Sequence, residues 1–131
     1  MGYTRYWKRS DKPITEEFVE EVRDIIRTSA KKGIAIRNAF GVDNPVITLN
    51  EISFNGNARA DKDLSHESFV LDNTRFGFDF CKTARKPYDY TVRKVLSAAK
   101  RHGLVYDVNS DGRNEQIYTD EEYIKGMVEW K

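Results

Sequence analysis

The spacing of apolar and polar residues changes period several times along the chain, and each change predicts an element. Near the start Tyr3, Arg5 and Trp7 alternate with Thr4, Tyr6 and Lys8, and a period of two in β-favouring residues predicts a strand over 3–8. Phe18, Val22, Ile25 and Ile26 then recur at i, i+4, i+7 and i+8, the spacing of one helix face. Thr15 stands at the N-cap of that helix, Ile14 and Val19 at staple positions, and Glu16, Glu17, Glu20 and Glu21 at its positive end, with Lys31-Lys32-Gly33 closing the other. Short strands are expected over 34–36 and 46–54, then a tight turn at Asn55-Gly56, a polar loop over 57–66 and a strand near 68–71. Phe76, Phe78 and Phe80 alternate with Gly77, Asp79 and Cys81, so three rings share one face of a strand over 75–81, and the core is the expected destination of that face.

Pro87 suits the first position of a second helix and Asp89 its first turn, while Val92, Val95, Leu96 and Ala99 form its apolar face up to Gly103. A strand over 104–108, a turn at Ser110-Asp111-Gly112 and a terminal helix capped by the Thr119/Glu122 box complete the order β-α-β-β-β-β-α-β-α. These elements predict one α+β domain over 1–131, with a mainly antiparallel or mixed sheet and about three helices packed on it.

Composition narrows the class. With 131 residues the chain has room for one core, and seven Phe, seven Tyr and two Trp supply large side chains to fill it. A formal net charge of +1 removes any global electrostatic case for binding nucleic acid or membrane, so charge-driven binding must be local. One cysteine, Cys81, with the separated His66 and His102 offers neither an internal disulfide nor a zinc spacing; a metal-independent, cofactor-free, cytoplasmic protein is expected. No apolar run is long enough to span a bilayer, and because the start is basic and aromatic without an apolar stretch, no export signal is expected.

Charge is segregated along the chain, with a balance of +6 over 82–101 and −4 over 107–131. The basic stretch opens with Cys81-Lys82-Thr83-Ala84-Arg85-Lys86-Pro87-Tyr88-Asp89, where a strand delivers cations and a hydroxyl to a helix N-terminus. Helix-end N–H groups attract a phosphate, Lys82, Arg85 and Lys86 add charge-assisted bonds and Thr83 a neutral one. Ordinary solvated cations on an exposed loop explain the same residues equally well. Tyr3, Tyr6 and Trp7 beside Arg5 and Lys8 offer ring faces for a base, although core packing accounts for them more simply.

Other motifs fall short. No glycines precede Lys82-Thr83 as a nucleotide-hydrolysing phosphate loop requires, and a cysteine-phosphatase loop needs Arg where Pro87 stands, so Cys81 reads as an inert thiol. Asp107-Val108-Asn109-Ser110-Asp111-Gly112 matches only the first half of a calcium loop, because its twelfth position is Tyr118; a plain turn is the better reading. His66 and His102 are not placed as catalytic bases.

Tyr3-Thr4-x-Tyr6-Trp7, Phe80-Cys81-Lys82-Thr83-x-x-Lys86-Pro87-Tyr88-Asp89 and Ser110-Asp111-Gly112 together resemble a group of small uncharacterised phage and prophage proteins. That resemblance implies a phage setting in the host cytoplasm, where proteins of this size often neutralise host defence, rather than a mechanism. The expectation is therefore a binder of a phosphate-containing small molecule, a nucleotide or cyclic-nucleotide immune signal, held by Lys82, Thr83, Arg85 and Lys86 with Tyr88 or an N-terminal ring on the base. Two alternatives stay open. One is a phosphodiesterase or nucleotide hydrolase using Asp79, Asp89 or Asp111. The other is an interaction protein whose basic helix, with Arg93, Lys94, Lys100 and Arg101, docks on a host protein or nucleic acid. A homo-oligomer is compatible with sequestration, since pockets can form between subunits.

Overall fold

The computed structural model describes residues 3–111, which form an α+β fold of two helices and two three-stranded antiparallel sheets. Strand β1 (Thr4–Arg9) lies at the centre of the first sheet, between β5 (Gly77–Lys82) and β6 (Val105–Ser110). Its alternation decides the two faces: Arg5, Trp7 and Arg9 are buried, while Lys8 is exposed and Tyr6 half-buried. Helix α1 (Glu16–Lys31) starts as expected, with Thr15 Oγ1 accepting from the Phe18 N–H at 3.2 Å, and buries Phe18, Val19 and Val22. Helix α2 (Asp89–Arg101) buries Val92, Val95, Leu96 and Ala99. Ser29 and Thr91 join the helices through a buried 2.7 Å hydroxyl pair.

The second sheet contains β2 (Val46–Ile47), β3 (Glu51–Phe54) and β4 (Phe69–Asp72). The single strand expected over 46–54 is broken at Thr48, whose hydroxyl accepts the N–H groups of Asn50 and Glu51 and so turns the chain. The strand expected over 34–36 is absent among the described residues. Ile34 and Ile36 are buried there in extended chain that reaches the sheet only through the Arg37–Asn55 bridge. Both sheets feed one apolar cluster, in which the Trp7 and Phe69 rings lie 5.2 Å apart and those of Phe69 and Phe54 5.1 Å apart. The expected terminal helix at Thr119 lies outside the described residues.

The largest departure concerns β5. Phe76, Phe78 and Phe80 were expected in the core, yet they are 51%, 64% and 40% exposed, and Cys81 on the opposite face is fully buried. A period of two places alternate residues on a common face without saying which face is inside. Pairing with β1 makes that choice: Phe78 lies opposite Lys8 and Phe80 opposite Tyr6, whereas Asp79 and Cys81 lie opposite Trp7 and Arg5. Trp7 fills the inner layer beside small groups on β5, and the phenyl rings are left outside.

Candidate functional site

The segments 3–8 and 82–88 meet. Strand pairing sets Thr4 opposite Lys82, and the Tyr3 carbonyl accepts from the N–H groups of Thr83 and Ala84 at 2.9 and 3.2 Å. The chain then turns through Ala84 and Arg85, both at φ 54°, and closes with the Lys86 N–H on the Thr83 carbonyl at 3.0 Å. Left-handed backbone costs an L-residue about 1–2 kcal/mol, so two successive such residues without glycine hold a strained turn in place. The strain is sustained by a buried anchor. Asp89 receives Arg5 Nε and Nη2 at 2.8 and 2.9 Å and the Thr83 hydroxyl at 2.7 Å.

The cations and rings expected at the site divide into two groups. Lys82 is exposed with its Nζ 5.9 Å from the Phe80 ring centre, and the Arg85 guanidinium sits 4.1 Å over Tyr3. Lys86 Nζ donates to the Asp63 carbonyl at 2.7 Å. Thr83 and Tyr88, in contrast, are buried and belong to the fold: Thr83 serves Asp89, and the Tyr88 hydroxyl donates to the Glu67 carbonyl. Burial raises the Tyr88 hydroxyl pKa well above the usual phenol range. Tyr3 and Trp7 are buried as well, so of the three N-terminal rings only Tyr6 reaches the surface, stacked on Phe78 with centroids 6.2 Å apart.

The helix-end anion cradle is also corrected. Pro87 lies in the turn before α2 rather than inside it, and the N–H groups of Asp89, Tyr90 and Val92 already donate to the carbonyls of Lys86, Pro87 and Tyr88. Those N–H groups are therefore not open to an anion, while the side-chain cations of the turn can still offer charge-assisted bonds.

The groups considered for catalysis are engaged elsewhere. Asp89 is buried under Arg5, Asp111 accepts from the Thr4 N–H and the Tyr6 hydroxyl at 3.0 Å each, and Asp79 accepts from the Phe80 N–H at 2.8 Å. Burial holds the Cys81 thiol pKa far above its ordinary value, so the thiol stays protonated, facing the Glu67 carbonyl. Residues 107–110 of the half calcium motif lie in β6, where Asp107, at φ 50°, marks a bulge and pairs with Lys8 at 3.3 Å. Among the described residues, no three His, Cys, Asp or Glu side chains converge to hold a metal.

Several residues with structural weight at the site were not singled out by sequence. Arg5 shared an inward face with Trp7, and a cation at such a position signals a buried partner, which is Asp89. Asn55 is a buried hub whose side chain accepts from the His66 N–H at 2.9 Å and donates to the His66 carbonyl at 2.8 Å. Beside it Gly56 is required by close approach, because a Cβ there would lie 2.0 Å from the Leu64 carbonyl oxygen. Two concavities lined by described residues lie elsewhere: one of about 560 Å³ at Arg37, Val42, Asp43 and Asn44, and one of about 410 Å³ between the helices beside Glu21, Lys32 and Tyr90. No protein family, curated protein or solved structure matches the chain.

Proposed function

We propose that this protein is a binding protein for a phosphate-bearing, nucleotide-type ligand, with Lys82, Arg85 and Lys86 as its phosphate contacts. One observation carries the reading. The strained turn at 84–85 holds the Arg85 guanidinium on the Tyr3 ring, where no carboxylate pairs with it among the described residues. Backbone strain kept at a surface cation is a feature of ligand sites rather than of stability. Lys82, three residues earlier at the end of β5, also lacks a carboxylate partner for its ammonium among the described residues, and each cation can offer phosphate oxygens charge-assisted bonds. Aromatic groups adjoining these cations, Phe80 and Tyr6, suit a base better than a simple anion. A passive binder is favoured over the hydrolase because Asp89, the acid nearest the turn in sequence, is neutralised by Arg5. The phage-type setting and the sequestration of an immune signal belong to the same proposal.

The test is incubation of the protein with linear and cyclic nucleotides, followed by mass spectrometry of the free and heat-released fractions. A ligand that leaves solution and returns intact supports binding, and one that returns as product replaces this reading with the hydrolase. Lys82→Ala combined with Arg85→Ala should weaken binding at least about tenfold; exposed Lys82 contributes little to folding, and loss of the Arg85–Tyr3 contact should cost no more than about 1 kcal/mol of stability. Unaltered affinity in that double variant would overturn the assignment.

A further inference from the structure

The outer face of the β5-β1-β6 sheet has an unusual make-up. Phe78 and Tyr106 are 64% and 49% exposed, Phe80 is 40% exposed, and Tyr6 lies half-buried between them. Each large apolar group on this face is a planar ring, and the remaining positions are Thr4, Lys8, Lys82 and Asn109. Tyr6 is stacked on Phe78 and Phe80 is tilted against it, both with centroids 6.2 Å apart, so the rings form a continuous aromatic row on the sheet.

Charge on the face is polarised. Of the nearby carboxylates, Asp107 pairs with Lys8, Asp111 is engaged by Tyr6 and Thr4, and Glu67 accepts from the Lys82 backbone N–H at 2.9 Å. At the other end Lys82 leads from Phe80 directly to the Arg85 and Lys86 turn.

We infer that this face binds single-stranded nucleic acid, with bases stacked on Tyr6, Phe78, Phe80 and Tyr106 and the backbone phosphates led onto Lys82, Arg85 and Lys86. The inference rests on the phosphate role of that turn and extends it to a polymeric ligand. A single strand offers both things the surface can hold, open π-faces and regularly spaced phosphates, and stacking on a sheet commonly engages about two or three bases. A duplex hides its base faces, and a lone nucleotide covers one ring.

The experiment is fluorescence anisotropy of labelled oligothymidylates of three, six and twelve nucleotides, and of a twelve-base-pair duplex, with the full-length chain. Affinity is expected to rise with length and to exceed that for the duplex by at least about tenfold. Phe78→Ala and Phe80→Ala should each lower it by about five- to a hundredfold without lowering the melting temperature. With three phosphate contacts the slope of log K against log salt should be about −2, falling to about −1 in the Lys82→Ala/Arg85→Ala variant.

Equal binding of duplex, or ring variants with unchanged affinity, would overturn the inference. Loss of nucleotide binding in the cation variant with no oligonucleotide binding by the parent would overturn it while leaving the turn's phosphate role standing. Oligonucleotide binding that needs the rings but not Lys82 and Arg85 would instead refute that phosphate role. If Phe78→Ala converts a dimer to a monomer and no oligonucleotide binds, the face is an interface between copies of this chain and the inference fails.

Discussion

Replacing Asp89 by Ala tests the account of how the turn at 83–88 is held. Arg5 and Asp89 form a two-pronged pair at 2.8 and 2.9 Å with side chains only 5% and 0% exposed. Removing the carboxylate leaves a guanidinium in the interior without its anion, which costs about 3–5 kcal/mol. Thr83 also loses its 2.7 Å acceptor, adding about 1 kcal/mol. A total loss of about 4–6 kcal/mol is a large share of the ~5–15 kcal/mol that stabilises a domain. Urea unfolding at neutral pH should show it as a lower midpoint with an unchanged slope.

Arg5→Met combined with Asp89→Leu removes both charges together and takes the acceptor from Thr83, so it should cost about 1–2 kcal/mol. The double variant is then more stable than either single one, with a coupling of at least about 2 kcal/mol. An Asp89→Ala loss below about 1.5 kcal/mol, or no coupling, would refute the anchor. The result also governs how activity tests are read: a variant at Asp89 that loses function through unfolding says nothing about catalysis.

Four further predictions follow from the same structure. Phe69→Ala should cost about 3–5 kcal/mol in urea unfolding and Phe78→Ala less than about 1 kcal/mol, because the first ring is fully buried and the second is 64% exposed; equal losses would mean that the two faces of β5 are reversed. Cys81 should resist a thiol reagent until the protein unfolds, and its contribution to stability should fall as pH rises above about 8.5, where the unfolded thiol ionises and the folded one keeps its proton. Comparing urea midpoints at neutral pH and near pH 9.5, with Cys81→Ala as control, checks the sign. Glu21 is held below the usual carboxylate range by the Arg101 hydrogen bond and then by His102, so its contribution is present above about pH 4.3 and lost as pH falls through its lower folded value. Exposure keeps this contribution small, and Glu21→Gln should flatten the acid limb of the stability profile slightly. Ala84→Gly should raise stability by about 0.5–1 kcal/mol by relieving the φ of 54°, and a loss there would show that the turn is unstrained.

Much of the fold was legible in local pattern. The Thr15 cap, the Phe18-Val22-Ile25 stripe and the Val92-Val95-Leu96-Ala99 face each encode a helix through neighbours three or four residues apart, and both helices fall where that spacing puts them. Strands 3–8 and 75–81 were readable from alternation, within a residue or two of β1 and β5. The break at Thr48 was missed because a hydroxyl that captures two N–H groups competes locally with an otherwise unbroken β-favouring run. Of the residues that the sequence suggested for the site, Lys82 is exposed and Arg85 and Lys86 are half-buried, whereas Thr83 and Tyr88 are buried. Whether such groups meet a ligand or the interior depends on Asp89 and Glu67, and on how the segments that carry them pack.

By itself, then, the sequence determined what short-range physics determines: element types, caps, the parity of each strand and the concentration of positive charge after residue 82. Tertiary structure alone decided which side of each strand is inside. Parity is set within a strand, but direction is set by the neighbour it pairs with, and the register of β5 on β1 turned three phenylalanines away from the core. The same pairing brought Arg5 to Asp89 across 84 residues of chain and placed Lys82 beside an open aromatic face. Those long-range contacts turn a basic segment into a candidate site.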